Sequence, residues 1–467
     1  MKITHLSAEC YPIAKVGGLA DVVGALPKYQ SNSDRTSEVI MPFYDNKFTQ
    51  SHEFSTAYNS TLELGRESYN FKILTLDNNA VGFDIYFVKI INLLTVDYVY
   101  SYDDANRFLA FQIAALDWIL TWKEKPTIIH CHDHHAGLTP FMLQESYKYE
   151  SLNKIPVILT IHNAQYQGSF SHDKVGLIPA FNFENIGLLD WSGMINPLSA
   201  AIKCAWKVTT VSPSYMEELK IKANGLEDLL VAESHKCVGI LNGIDSEVWN
   251  PETDHYIVKN FKKSAVASGR KGNKEWLCKE FNLDLNKPLF AFIGRLVGEK
   301  GAELLPEVFQ KALQKENISV LLLGSGHEDV ESQLESLKTE FEGTYNAFIG
   351  YDEKISHIIY AGADYLLMPS RVEPCGLNQM YALRYGLIPI VRKTGGLKDT
   401  IIDISEDGFG FTHKDVEIDQ IVNAIERATL LYQDKTAFNK NRKRIMSIDH
   451  SWNASAQEYI NLYNSLN

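Results

Sequence analysis

The chain has 467 residues, 45% hydrophobic and 22% charged, without a biased tract. This length and composition fit two ordinary globular domains and exclude collagenous and low-complexity classes. A net charge of −13 with dispersed basic residues argues against nucleic-acid or anionic-membrane binding, and no run approaches the roughly 18 apolar residues of a membrane span.

Ile3 to Leu6 reads as a first strand. Lys15-Val16-Gly17-Gly18-Leu19-Ala20-Asp21-Val22 follows it closely and opens an apolar helical pattern. Paired glycines let the backbone approach a ligand, and a helix N-terminus offers N–H groups to an anion. Lys15 adds a point charge for phosphate; a plain tight turn is the structural alternative. Val39-Ile40-Met41 reads as the next strand, and Thr127-Ile128-Ile129 as another. The latter places His130-Cys131-His132-Asp133-His134-His135 at a strand's carboxyl end, where ligands bind in doubly wound folds. The spacing misses the known metal signatures, so sugar-hydroxyl and orienting hydrogen bonds are preferred over metal ligation.

Val157 to Thr160 is a strand leading into Ile161-His162-Asn163-Ala164-Gln165-Tyr166-Gln167-Gly168. That loop supplies donors, acceptors and a stacking face for a sugar; a capped loop of satisfied polar groups is the alternative. Val208 to Val211 closes the first series of strands. The stretch from about Asn242 to Pro288 is polar, including Gly269-Arg270-Lys271-Gly272-Asn273-Lys274. It reads as the start of a second domain plus a polar surface segment.

A second series follows: Leu289–Ile293, Ser319–Leu323, Tyr365–Met368 and Ile388–Val391. Continuous apolar strands separated by helix-length segments predict parallel sheets covered on both faces, the doubly wound α/β class. Two such sheets predict ligand sites at their strands' carboxyl ends, facing each other across a deep cleft. After the first of these strands, Arg295 and Lys300 lie five apart among glycines and can converge on a diphosphate, whose departure builds charge that fixed cations stabilise. Surface cations are the alternative. The most specific motif is Pro369-Ser370-Arg371-Val372-Glu373-Pro374-Cys375-Gly376-Leu377. Glu373 precedes a helix and can accept from sugar hydroxyls; we expect that role rather than a structural salt bridge. Lys393-Thr394-Gly395-Gly396-Leu397 loosely repeats the Lys15 motif.

Cys10, Cys131, Cys204, Cys237, Cys278 and Cys375 form no C-x-x-C pair, so a zinc knuckle or thioredoxin-type motif is not indicated. Scattered cysteines and an N-terminal stretch without an apolar signal region predict a cytoplasmic protein.

Nearly the whole chain resembles, collinearly, the bacterial-type glycogen synthase and plant starch synthase family. The resemblance rests on the Lys15 motif, His132-Asp133-His134-His135-Ala136-Gly137-Leu138, Thr160-Ile161-His162-Asn163, Leu241-Asn242-Gly243-Ile244-Asp245, the Glu373 motif and Arg392 to Thr400. Tyr381 stands eight positions after Glu373, where many related two-domain glycosyltransferases carry a second glutamate. This disfavours sucrose-type and trehalose-phosphate-type enzymes.

The resemblance implies a two-lobed glycosyltransferase fold, with residues 1–241 on the acceptor side and 242–450 on the donor side. Residues 451–467 would pack back on the first domain. It implies a retaining transfer of glucose from ADP-glucose or UDP-glucose to glycogen or a maltooligosaccharide, with no metal and no cofactor. The implied catalytic set is Lys15, His162, Arg295, Lys300 and Glu373. Gly17, Gly18, Asp21, Tyr102, Asp133, His135, Asn163, Asn242, Cys375, Gly376, Leu377, Thr394 and Gly395 are the implied substrate contacts, with Tyr102 near the nucleotide base. Val16 stands where the family usually has Thr, and the stretch from Phe83 to Tyr102 lacks its usual Arg-Pro-Gly loop. A metallohydrolase and a non-catalytic glucan-binding protein remain as rivals.

Overall fold

The computed structural model describes residues 1–78 and 80–466; Asn79 and Asn467, inside the predicted domain ranges, lie outside the described residues. The chain divides into two compact units. One is Met1–Leu241 with the stretch from Trp452 onward, and the other is Asn242–Ser451.

The first unit carries β1 (Lys2–Leu6), β2 (Thr36–Pro42), β3 (Phe54–Leu64), β4 (Glu67–Leu76), β5 (Asp84–Lys89), β6 (Ile128–His132) and β7 (Val157–Ile161). A short hairpin of β8 (Asp190–Trp191) and β9 (Met194–Ile195) precedes β10 (Lys207–Thr210) and β11 (Cys237–Gly239). The main sheet runs β11-β10-β7-β6-β1-β2-β5-β4-β3. It is parallel from β11 to β5, whereas β5-β4-β3 is antiparallel. The all-parallel expectation fails at this edge, where β3 alternates exposed and half-buried residues, the pattern of a one-faced antiparallel strand.

Strand β6 is also longer than expected. His130 and His132 lie within it, each 0% exposed, so only Asp133, His134 and His135 follow the strand. The helix Trp452–Asn464 belongs to this unit. Its Trp452, Ala456, Tyr459 and Tyr463 join Ile3, Val22, Leu26, Ile128, Ile158 and Ile240 in one apolar cluster. Burying each large side chain contributes about 1.5–3 kcal/mol. Ser455 Oγ donates to the Leu241 carbonyl at 2.5 Å and fastens the helix further.

The second unit carries β12 (Leu289–Ile293), β13 (Ser319–Gly324), β14 (Tyr345–Ile349), β15 (Tyr365–Met368), β16 (Ile388–Arg392) and β17 (Phe411–His413). They form a wholly parallel sheet in the order β14-β13-β12-β15-β16-β17. The polar stretch before it is a surface segment only in part, Lys259, Lys262, Lys263 and Lys271 being exposed. Gly269 to Lys274 lie in the helix Val266–Glu280, which buries Arg270, Asn273 and Lys274. Arg270 donates to the carbonyls of Tyr360 (2.9 Å), Ala363 and Tyr385. These close the helices Glu353–Gly362 and Asn378–Tyr385, whose last carbonyls have no partner within the helix. Arg270 thereby caps two helices at once, and the second follows the Glu373 loop.

Candidate functional site

The parallel part of each large sheet has one point where strand order reverses, and in doubly wound folds the ligand crevice opens outside the carboxyl ends there. In the second unit the reversal falls between β12 and β15. Arg295 and Lys300 follow β12, Ser370 and Glu373 follow β15, and Thr394 and Gly395 follow β16. These three strands are adjacent, so the predicted residues share one sheet end.

Lys300 and Glu373 are in direct contact. Lys300 Nζ lies 2.7 and 2.6 Å from the two Glu373 oxygens, and Ser370 Oγ donates to Oε2 at 2.8 Å. Glu373 is therefore an ion-pair partner, a contact that the expectation from sequence had set aside. An ammonium carries three protons, so two bonds to Glu373 leave one for a ligand. Arg295 is exposed, its nearest carboxylate being Glu299 at 3.5 Å.

The backbone explains the glycines. Gly395 has φ +43°, and a Cβ there would lie 2.0 Å from the Glu373 carbonyl oxygen. Gly396 donates its N–H to that same oxygen at 3.1 Å. The start of the helix Gly395–Thr400 is thus packed on the Glu373 loop. Cys375 is buried and its thiol is pushed up to about 12 by burial, which leaves it inert as a nucleophile. The N–H of Asn242 lies against it, while Asn242 Oδ1 is buried without a partner among the described residues. Gly376 (φ +73°) and Leu377 lead into the helix Asn378–Tyr385.

In the first unit the reversal falls between β1 and β6. Lys15, Gly17, Gly18 and Asp21 follow β1, Asp133 and His135 follow β6, and His162 and Asn163 follow β7. A Cβ at Gly17 or Gly18 would meet nothing within 4 Å, so the loop is open to an approaching group. Lys15 Nζ is held by Asp21 Oδ1 at 2.7 Å. The loop's N–H groups are not all available. Glu9 Oε2 accepts from Val16 (2.6 Å) and Gly17 (3.0 Å), and Tyr100 donates its hydroxyl to Glu9 Oε1.

Asp133 has φ 55°, ψ −171°. A non-glycine residue there is strained, and such strain concentrates at functional sites. Burial pushes its carboxyl up to about 7, against the pull of the His162 and Asn163 N–H groups. Asp133 Oδ1 accepts from the His162 N–H at 2.7 Å, tying the ends of β6 and β7 together. Burial lowers the His162 imidazole to about 3, so it is neutral at physiological pH. His135 stacks on Tyr100 at 4.7 Å. Tyr102 is fully exposed, at the edge of a cavity of about 130 Å³ that Phe108, His134, Gly168 and Phe170 also line. Gln167, in contrast, bonds Asn196 and the Asn224 carbonyl and serves the loop.

Two residues escaped sequence reasoning. Glu9 is a lone carboxylate outside any glycine motif. Tyr351 follows β14 and is 78% exposed; the sequence reading did not find that strand, so no signal pointed to this residue.

Residues 2–232 match the family model described as starch synthase catalytic domain, and residues 274–445 match that described as glycosyl transferases group 1. The chain is 52% identical to a glycogen synthase of Flavobacterium johnsoniae, over 99% of both chains. The chain belongs to the glycogen and starch synthase family. It is a glycosyltransferase with the two-domain fold of that family. It is 36% identical to a glycogen synthase of Anoxybacillus flavithermus, over 100% of this chain and 98% of the relative. The catalytic domain of starch synthase IV from Arabidopsis thaliana, solved with ADP and acarbose, matches with TM-score 0.88 and 33% identity over 99% of both chains. Sucrose-phosphate synthase from Thermosynechococcus elongatus shares the fold at TM-score 0.63 and 16% identity. Among the described residues no helix is long and apolar enough to cross a membrane.

Proposed function

We propose that this enzyme transfers glucose from ADP-glucose to the 4-hydroxyl at the non-reducing end of an α-1,4-glucan, with retention and without a metal. The observation that carries the reading is the gathering of Arg295, Lys300, Glu373, Thr394 and Gly395 at the carboxyl ends of β12, β15 and β16. Arg295 and the third proton of Lys300 stabilise the departing diphosphate, where charge develops in the transition state. Lys15 adds a further cation in the first unit. Thr394 and the N–H of Gly395 meet phosphate oxygens. In the second unit Asn242 and Glu373 offer polar groups to glucose hydroxyls, and in the first unit Asp133, His162 and Asn163 do the same. Tyr102 offers a ring face for the base.

The acceptor hydroxyl attacks from the face the leaving group vacates, and the departing phosphate takes its proton. Cys375 is too inert to serve as a covalent nucleophile. Support for ADP-glucose comes from the ADP bound in the starch synthase relative, and a glucan acceptor accords with its acarbose. The trio His5, His130 and His132 supports metal independence, because each of its ring nitrogens is already hydrogen-bonded. The test is nucleotide release from ADP-glucose and UDP-glucose in parallel, with glycogen present and after exhaustive chelation. At least tenfold higher kcat/KM for ADP-glucose is expected. Equal or reversed preference refutes the donor, and loss restored by a divalent cation refutes metal independence.

A further inference from the structure

The core of the first unit holds four histidines, His5, His130, His132 and His162, in one hydrogen-bonded network, the first three 0% exposed. Burial lowers the imidazole of His5 to about 4 and keeps His130 and His132 well below the ordinary range, so all are neutral. A neutral imidazole has one N–H and one lone pair, and the order of donors can be followed along the chain of bonds. At one end, Thr209 Oγ1 donates to the Leu159 carbonyl at 3.4 Å. A hydroxyl has one proton, so Thr209 accepts from Thr160 Oγ1 at 2.6 Å. Thr160 in turn accepts from His130 Nε2 at 2.6 Å. His130 Nδ1 is then a lone pair and accepts from the Tyr463 hydroxyl at 2.7 Å. Tyr463 accepts from Gln30 Nε2 at 3.0 Å. Gln30 Oε1 accepts from Ser37 Oγ at 2.9 Å and from His5 Nε2 at 2.8 Å.

The last steps reach the functional site. His5 Nδ1 is a lone pair and accepts from His132 Nε2 at 3.0 Å. His132 Nδ1 is a lone pair and accepts from His162 Nε2 at 3.0 Å. Running the chain in reverse forfeits the bond to the Leu159 carbonyl. His162 Nδ1 is therefore an acceptor, and it has no partner among the described residues and is not sealed from solvent.

We propose that His5, His132, Gln30 and Tyr463 are positioning residues that lock His162 in the Nε2–H tautomer, so that its free Nδ1 always accepts a hydrogen bond from a hydroxyl of the donor glucose. This rests on the reading of His162 as a donor-glucose contact. The same trio, His5, His130 and His132, is spaced to hold a metal ion. Metal binding would draw lone pairs away from the ladder, so the two readings exclude each other. The helix Trp452–Asn464 contributes through Tyr463, which links the C-terminal segment to the site without touching substrate.

The test is long-range ¹H–¹⁵N correlation on the full chain labelled in histidine, with the His162 signals assigned by their loss in His162→Ala. A single Nε2–H tautomer for His5, His132 and His162 is expected from pH 6 to pH 8. His5→Phe removes the acceptor for His132 and should give mixed tautomers at His162, with kcat about five- to tenfold lower and acceptor KM unchanged. His5→Gln offers an oxygen to His132 and an N–H to Gln30, and should restore both the tautomer and kcat. An Nδ1–H tautomer at His162 in the wild type overturns the proposal, a readout independent of whether His5→Phe folds. So does a single tautomer persisting in His5→Phe, or stoichiometric transition metal in the purified protein. Wild-type turnover by His162→Ala refutes the donor-glucose reading instead, and leaves the ladder to the spectra.

Discussion

Replacing Glu373 by Gln isolates the ion pair at the centre of the second unit. The carboxylate is bound on both oxygens by Lys300, at 2.7 and 2.6 Å, and its side chain is 8% exposed. Gln keeps the shape and one acceptor but loses the charge and turns the other acceptor into a donor facing an ammonium. Breaking a fully buried pair costs about 3–5 kcal/mol. Lys300 is 24% exposed and can reach water, which lowers that figure. A charge-assisted bond contributes about 1.5–3 kcal/mol and a neutral one about 0.5–1.5. One bond lost in part and another weakened gives about 2 kcal/mol. For a unit of this size that is about 4–8 °C in Tm. Glucose transfer should fall as well, since the freed ammonium and the neutral amide no longer hold donor hydroxyls and phosphate in register.

The assay is thermal unfolding and steady-state kinetics on the same preparation, completed by Lys300→Met and the double variant. The cycle should show coupling of at least about 1 kcal/mol between the two positions. An unchanged Tm for Glu373→Gln, with no coupling to Lys300, would refute the reasoning. It would mean that the carboxylate holds only substrate.

Arg295→Ala should lower kcat/KM for the sugar nucleotide about 10²- to 10³-fold with Tm unchanged, because its one carboxylate neighbour is an exposed pair worth about 0–1 kcal/mol; a lowered Tm with intact turnover would reverse the assignment. Burial raises the Asp133 carboxyl from its ordinary 3.8 to about 7 in the folded state, so the folded state binds more protons between these values and stability falls as pH rises through the window. Asp133→Asn does not ionise there, so its stability relative to wild type should grow by up to about 3 kcal/mol from pH 5 to pH 8, read by urea unfolding; a pH-independent difference would place the carboxyl's pKa outside this window.

The second sheet was legible because its strands are continuous apolar runs, as in β13, where every residue is buried. Strands β3 and β4 were not, since alternation over a half-exposed edge leaves no apolar run to find. The glycine-flanked loops were legible as loops because their backbone conformations are restricted to few residue types. Arg270 was not, because a charge run normally marks a solvated face. Its burial answers the free carbonyls of two helix ends distant in sequence. His130 and His132 misled for a related reason. Polar residues after Ile129 look like a strand's end, yet a histidine ladder can satisfy itself inside a core.

The charged site residues share a feature that the sequence does not express. Lys15 meets Asp21, Lys300 meets Glu373, and Glu9 occupies the N–H groups of Val16 and Gly17. Both lysines and the N–H groups of Val16 and Gly17 are thus already engaged by a carboxylate, whereas Arg295 has only a 3.5 Å neighbour among the described residues. In a chain of net charge −13 such pairing fixes the position of each cation while cancelling much of its field. A phosphate bound at Lys15 must then share it with Asp21, and one bound at Lys300 must share it with Glu373, since the fold holds each carboxylate against its cation. Geometry, more than net charge, therefore holds the anion. On this argument Asp21→Asn should tighten binding of free nucleoside diphosphate while slowing transfer, since the freed Lys15 gains charge but loses its fixed place. Calorimetric affinity and kcat on one preparation decide it, and weaker binding by Asp21→Asn would show that the pairing serves affinity instead.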